Sequence, residues 1–146
     1  YYHGYRLMDK EGYEPAFPFG FGLSYTTFEY RHLEIDRTEV AADDTLRVSV
    51  EVANTGPRAG DEVAQLYVSY EGAQVERPVK DLKGFARVQL EPGETKRAEF
   101  ALPIKRLAYY DVARARWVVE PITYRVHVGS SSRTDDLLTA RFRVRG

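Results

Sequence analysis

The chain has 146 residues, 43% of them hydrophobic, with 21 basic against 22 acidic side chains and no cysteine. That suits one domain with a core of its own plus a short appendage, and the near-balance of charge gives no bulk attraction to nucleic acid or to an anionic membrane. The lack of cysteine removes disulfides, thiolate metal sites and cysteine nucleophiles.

The opening YYHGYRLMDK has neither the basic start nor the apolar middle of a signal peptide, and Tyr1 stands where a translated chain has Met. The chain therefore reads as a piece whose targeting segment, if any, lies upstream, and its compartment stays open. No apolar run approaches the roughly 20 residues of a membrane helix.

Residues 1–27 form an aromatic stretch rich in Gly and Pro, with FPFGFGLSYTTF spanning Phe17–Phe28, and neither a helical nor a strand period fits it. It reads as an extended tail or linker carrying more apolar surface than a free tail tolerates. GFGLS at Gly20–Ser24 follows no strand and opens no helix, so it is no phosphate loop. GLSYT lacks the closing Gly of a hydrolase elbow, which leaves Ser24 as a turn serine.

From Phe28 onward the sequence advances in steps of two, the signature of strands with one buried face. Phe28 and Tyr30 share one phase and Leu33 and Ile35 the other, which calls for a bulge or a sheet switch near Arg31 and His32. Leu46, Val48, Val50 and Val52 alternate with polar neighbours; Ala64, Leu66, Val68 and Tyr70 repeat the pattern. Val88 and Leu90, then Ala98, Phe100 and Leu102, then Tyr124, Val126 and Val128, and finally Leu138, Ala140, Phe142 and Val144 complete the series. Gly, Pro, Asn and Asp punctuate it at NTGPRAGD, EPGE and GSSSRTDD. Seven short strands and no helical stretch predict an all-β fold, a seven-stranded antiparallel β-sandwich of fibronectin type III or immunoglobulin kind. The predicted core includes Leu46, Val48, Val50, Val52, Leu66, Val68, Phe100, Val126, Val128 and Phe142.

Little in this sandwich points to chemistry. His3, His32 and His127 have no ligand spacing, and His127 should sit on the solvent face of its strand. Asp43-Asp44 and Asp135-Asp136 lie in turns without the further oxygen donors of a calcium loop. Trp117, near Tyr109 and Tyr110, is either a core residue or part of a sugar-stacking platform; the tendency of aromatic side chains to fill cores favours burial. The residues indicate no cofactor, no metal ligands and no catalytic set.

The opening GYRLMDKEGYEPAFPFGFGLSYTTFEY resembles the segment that, in glycoside hydrolase family 3, leaves the second catalytic domain and enters a C-terminal fibronectin type III-like domain. VANTGPRAGDEVAQLYVS, RPVKDLKGF, LEPGE, LAYYD, WVVEP and VGSSS are similar to that domain in order and spacing. The chain departs from the family at Ile122 in EPITY, where Gly is frequent, and at Phe21, where Tyr or His is common.

Family members are mostly exo-acting β-glucosidases, with β-xylosidases and N-acetylglucosaminidases among them, and they retain configuration with two carboxylates roughly 5 Å apart. Their nucleophilic Asp, followed by Trp, lies in an N-terminal barrel and their acid/base Glu in the second domain. The single Trp here follows Arg116, and neither site has a counterpart. The resemblance thus implies residues 1–27 as an inter-domain linker and residues 28–146 as a structural accessory domain. Phe17, Phe19, Phe21, Leu23 and Tyr25 would pack against catalytic domains, with an oligosaccharide bound on exposed aromatics as the alternative.

Overall fold

The computed structural model describes residues 2–146. The alternating runs become strands as expected: β1 (Phe28–Ile35), β3 (Thr45–Asn54), β4 (Gly60–Glu71), β5 (Asp81–Leu90), β6 (Thr95–Pro103), β9 (Thr123–Gly129) and β10 (Leu137–Val144). Three short strands join them: β2 (Glu39–Val40), β7 (Tyr109–Asp111) and β8 (Arg116–Val118). One sheet has the order β1-β3-β6 and the other β2-β10-β9-β4-β5, with β7-β8 a separate hairpin.

Every predicted core residue is buried between the two sheets. Tyr124 stacks on Phe142 with ring centroids 5.4 Å apart. Its hydroxyl donates to the Glu120 carbonyl at 2.9 Å, a tyrosine corner tying the start of β9 to the chain before it. Burial pushes that phenol up to about 12.

The phase change in β1 is a bulge, with the register to β3 slipping between Arg31 and Glu34 and His32 at φ 55°. The extra residue lets Phe28, Tyr30, Leu33 and Ile35 all pack on the core. A sheet switch follows separately. After Asp36 the chain crosses to the other sheet, where β2 pairs with β10 in parallel. This is the one exception to the expected antiparallel pairing among the described strands.

The expectation of no helix is corrected by α1 (Tyr5–Glu11), which ends at Gly12 in the left-handed region with φ 69°. Two turns are too few to display a period, and so short a helix is not stable by propensity. It persists through what it touches.

Candidate inter-domain docking site

The outer face of the five-stranded sheet does not follow the exposed-buried rhythm of a sandwich strand. From Ala64 to Val68 every residue of β4 is buried, so Gln65 and Tyr67 are covered on the side that should meet solvent. Their cover comes from residues 5–20.

Tyr5 of α1 packs edge-on against Tyr67 with centroids 5.9 Å apart, and its hydroxyl accepts from the Leu82 amide at 2.9 Å. Burial raises the Tyr67 phenol above its ordinary value. Ion pairs flank this contact: Arg6 with Asp81, Asp9 with Lys80 at 2.8 Å, and Lys10 with Glu76 at 2.8 Å. Lys80 and Asp81 are buried, so the first two pairs are not freely solvated, whereas Lys10–Glu76 is exposed.

The aromatic tract then crosses β4 toward its beginning. Pro18 is buried, and the Phe19 carbonyl accepts from the Ser132 amide at 2.8 Å. Gln65 Nε2 donates to the carbonyls of Gly20 (3.1 Å) and Ser130 (3.0 Å). Gly20 has φ 79°, and a Cβ there would overlap the Gln65 amide, so this crossing requires glycine. Buried Thr26 closes the path, its hydroxyl donating to Asn54 Oδ1 at 2.7 Å.

The backbone of the tract is thus fixed while its large side chains are not covered. Phe17 and Phe21 lean on each other at 5.6 Å, and Phe19 leans on Tyr5 at 4.8 Å. Phe19 is 47% exposed, Leu23 92% and Tyr25 89%. The structure therefore brings Phe17, Phe19 and Phe21 together along one path, with Leu23 and Tyr25 standing free beyond them. Between α1, the tract and the Ser132–Thr134 turn lies an open groove of about 510 Å³, floored by Met8, Pro18 and Val79. Among the described residues, the exposed large hydrophobic side chains outside this side of the molecule are Tyr110, Val112 and Trp117.

Two expectations are corrected here. Trp117 is not in the core: it is 70% exposed on the β7-β8 hairpin, set edge-to-face against Tyr110 at 5.6 Å and 71°. The hairpin turns Tyr109 and Val118 inward, and the paired positions Tyr110 and Trp117 share the opposite face.

His127 lies on the outer face of its strand but is not freely solvated. It is half-buried between Ser69 Oγ at 2.8 Å and Thr139 Oγ1 at 3.0 Å. Burial, then the charges of Lys80 and Arg125, push its imidazole down to about 4. The folded value lies below the ordinary 6.5, so the unfolded chain takes up this proton first. Stability from the neutral ring is complete above pH 6.5 and is lost as pH falls toward 4. Allowing for solvent screening, the expected loss is about 1 to 2 kcal/mol. Denaturant midpoints measured across that window should fall less in His127→Gln than in the wild type.

Residue-type reasoning missed the α1 contacts. Arg6, Asp9 and Lys10 meet partners more than sixty positions away. Their one local signal was the placement of Tyr5, Met8 and Asp9 three and four apart. No group of three or more His, Asp or Glu side chains that could hold a metal occurs among the described residues. No helix there is long and apolar enough to cross a membrane.

A family model described as "Fibronectin type III-like domain" matches residues 62–132. A β-xylosidase of Formosa agariphila is 50% identical over 97% of this chain and 19% of its own length. Thermostable β-glucosidase B of Acetivibrio thermocellus is 45% identical over 97% of this chain and 18% of its own. The crystal structure of a family 3 glycoside hydrolase, the β-glucosidase of Bifidobacterium adolescentis, superposes with a TM-score of 0.87 at 37% identity, over 97% of this chain and 20% of that one. The chain spans about a fifth of the length of the relatives it matches. From its sandwich, the family match and these relatives, the chain is a fibronectin type III-like domain, similar over nearly its whole length to a segment of β-glucosidases, one of them of glycoside hydrolase family 3.

Proposed function

We propose that the chain is a non-catalytic structural accessory domain of a retaining family 3 β-glycosidase, closest in kind to a β-glucosidase that removes terminal β-linked glucose. Residues 1–27 act as its inter-domain linker, and the domain packs on the catalytic domains and stabilises them. One observation carries this reading: the tract is pinned to the sandwich through the carbonyls of Phe19 and Gly20 and the hydroxyl of Thr26, yet Phe17, Phe21, Leu23 and Tyr25 are held out toward water. Ordering a chain to display apolar rings opposes folding unless another surface covers them. At about 150 to 250 Å² per ring and about 25 cal/mol per Å², covering them is worth several kcal/mol.

Phe19 is already half used on Tyr5, so Leu23 and Tyr25 give the cleaner test. In the intact enzyme, Leu23→Ala with Tyr25→Ala should lower the thermal midpoint of this domain by several degrees, while the isolated chain stays within about 1 °C of wild type. Equal shifts in both would make these side chains ordinary parts of the sandwich.

A sugar-binding module is favoured by one observation, the exposure of Trp117 beside Tyr110. Against it, the rings stand at 71° and form no flat platform for a pyranose chain. Trp117 is the only tryptophan, so its fluorescence reports directly. Cello- and laminari-oligosaccharides at millimolar concentration should leave the emission unchanged; saturable quenching lost in Tyr110→Ala would support the binding module.

A further inference from the structure

Phe85 lies in the middle of β5, on the outer face, and is 74% exposed. A bare phenylalanine at mid-strand contributes little to a sandwich, because its ring meets neither the core nor a cross-strand aromatic. Its paired neighbour on β4 is Gln65, the residue that clamps Gly20, and the next outward residue of β4 is half-exposed Val63. The tract runs from Gly20 at Gln65 to Thr26 at the start of β4, passing Ser24 beside Gly60. Phe85 and Val63 therefore border the tract along the stretch where Phe21, Leu23 and Tyr25 are exposed.

Around Phe85 the surface is charged and already paired. Arg87 is bound to Asp61, Lys83 Nζ reaches Asp81 at 3.1 Å, and Arg106 donates to the Lys83 carbonyl at 2.8 Å. An exposed ring inside a rim of satisfied polar groups is the layout of an interface anchor, in which the rim excludes water and the ring enters a pocket.

We infer that Phe85, with Val63 beside it, is a second anchor of the docking face and inserts into an apolar pocket on the catalytic domains of the parent glycosidase. This rests on the accessory-domain reading above. The occupant is the parent's own catalytic part rather than a second copy for two reasons. The patch continues the face on which the linker is displayed, and the relatives carry about four fifths of their length outside the matching segment. The tract supplies the edge of the interface nearest the linker, and β5 supplies a rigid element that fixes the rotation of the sandwich about it.

The test uses the intact parent enzyme and chymotrypsin, which cleaves after the aromatic residues of the tract. Docking hides Phe17–Tyr25, and cleavage there reports the undocked population when opening is fast. Phe85→Ala should raise the cleavage rate about thirtyfold, the low end for an interface anchor. Phe85→Leu should recover most of the protection, and Trp117→Ala should leave it unchanged. In the isolated chain, where the tract is already open, Phe85→Ala should change neither the cleavage rate nor the denaturant midpoint. If Phe85→Ala is silent in the intact enzyme while Leu23→Ala with Tyr25→Ala opens it, the second anchor is wrong and the docking reading stands. If both are silent, the docking reading falls and takes this inference with it. If Phe85→Ala weakens the isolated chain as much as the enzyme, Phe85 is a structural residue of the sandwich and the inference is overturned.

Discussion

Glu120→Ala should destabilise the isolated chain by about 3 to 5 kcal/mol, the range for stranding one member of a buried ion pair. The Glu120 side chain is 6% exposed and that of Arg77 10%. The carboxylate accepts from the Gln74 amide at 2.8 Å and from Arg77 Nε at 3.4 Å. The Arg77 guanidinium lies 4.4 Å from the ring centre of Tyr70 and 5.1 Å from that of Tyr109, and donates to the Leu107 carbonyl at 2.8 Å. Removing the carboxylate leaves this cation with one carbonyl and two ring faces, and leaves the Gln74 amide without its acceptor. Urea unfolding should show a lower midpoint with an unchanged slope. A loss under about 1 kcal/mol would mean that water reaches Arg77 and replaces the carboxylate.

The site of that loss has a functional side. Arg77, Lys80 and Asp81 belong to the motif RPVKDLKGF, whose charges divide into two tasks. Arg77 fixes the segment to the chain before β9 through Glu120, and Lys80 and Asp81 hold Asp9 and Arg6 of α1. Weakening the first task should therefore loosen α1 as well. In hydrogen exchange on Glu120→Ala, the amides of Tyr5–Glu11 are expected to lose protection together with those of Tyr109–Val118.

The sandwich was legible because burying one face of a strand writes a period of two into the chain, and Val48, Val50, Val126 and Val128 obey it without exception. Its irregularity at Arg31 and His32 was legible for the same reason: a phase break has few physical resolutions, and a bulge is one. What local pattern could not supply was the cover on the second face. Gln65 and Tyr67 occupy positions that alternate outward, and contacts with Gly20 and Tyr5, far earlier in the chain, cover them, while His127 is half-buried between Ser69 and Thr139 of the neighbouring strands. Trp117 failed in the opposite direction. The tendency of aromatic side chains to fill cores assumes that a strand belongs to a sheet of the sandwich, but β7 and β8 pair only with each other and have one inward face, taken by Tyr109 and Val118. Of the candidate docking residues, the aromatic tract was visible in composition. Phe85 was not, because one phenylalanine out of phase with Val88 and Leu90 reads as a lone exposed side chain, and only the fold pairs it with Gln65 beneath the tract.

Phe100→Ala should cost about 3 to 5 kcal/mol, as for other large-to-small aromatic changes in cores. Phe100 lies on β6, paired with Val48 in the three-stranded sheet, and its ring reaches across to β5. The residue it meets there is Gly84, where a Cβ would sit 3.4 Å from the ring. The glycine is what gives the ring its space, and no side chain at position 84 could move in to fill the void left by alanine. The cavity should therefore remain largely open, which places the cost above the transfer energy of the ring alone. Gly84→Val tests this. Alone it should destabilise the chain by crowding the ring. Combined with Phe100→Ala it should restore part of the loss, a coupling readable as non-additivity of the two midpoints. If the double variant is no more stable than Phe100→Ala, the ring is not what position 84 accommodates. Gly84 and Phe85 are adjacent on β5, one facing the core and the other the proposed docking face. The crowding in Gly84→Val pushes the strand away from the Phe100 ring and must shift Phe85 with it, so in the intact enzyme that core change should also expose the tract to chymotrypsin while Phe85 itself is untouched.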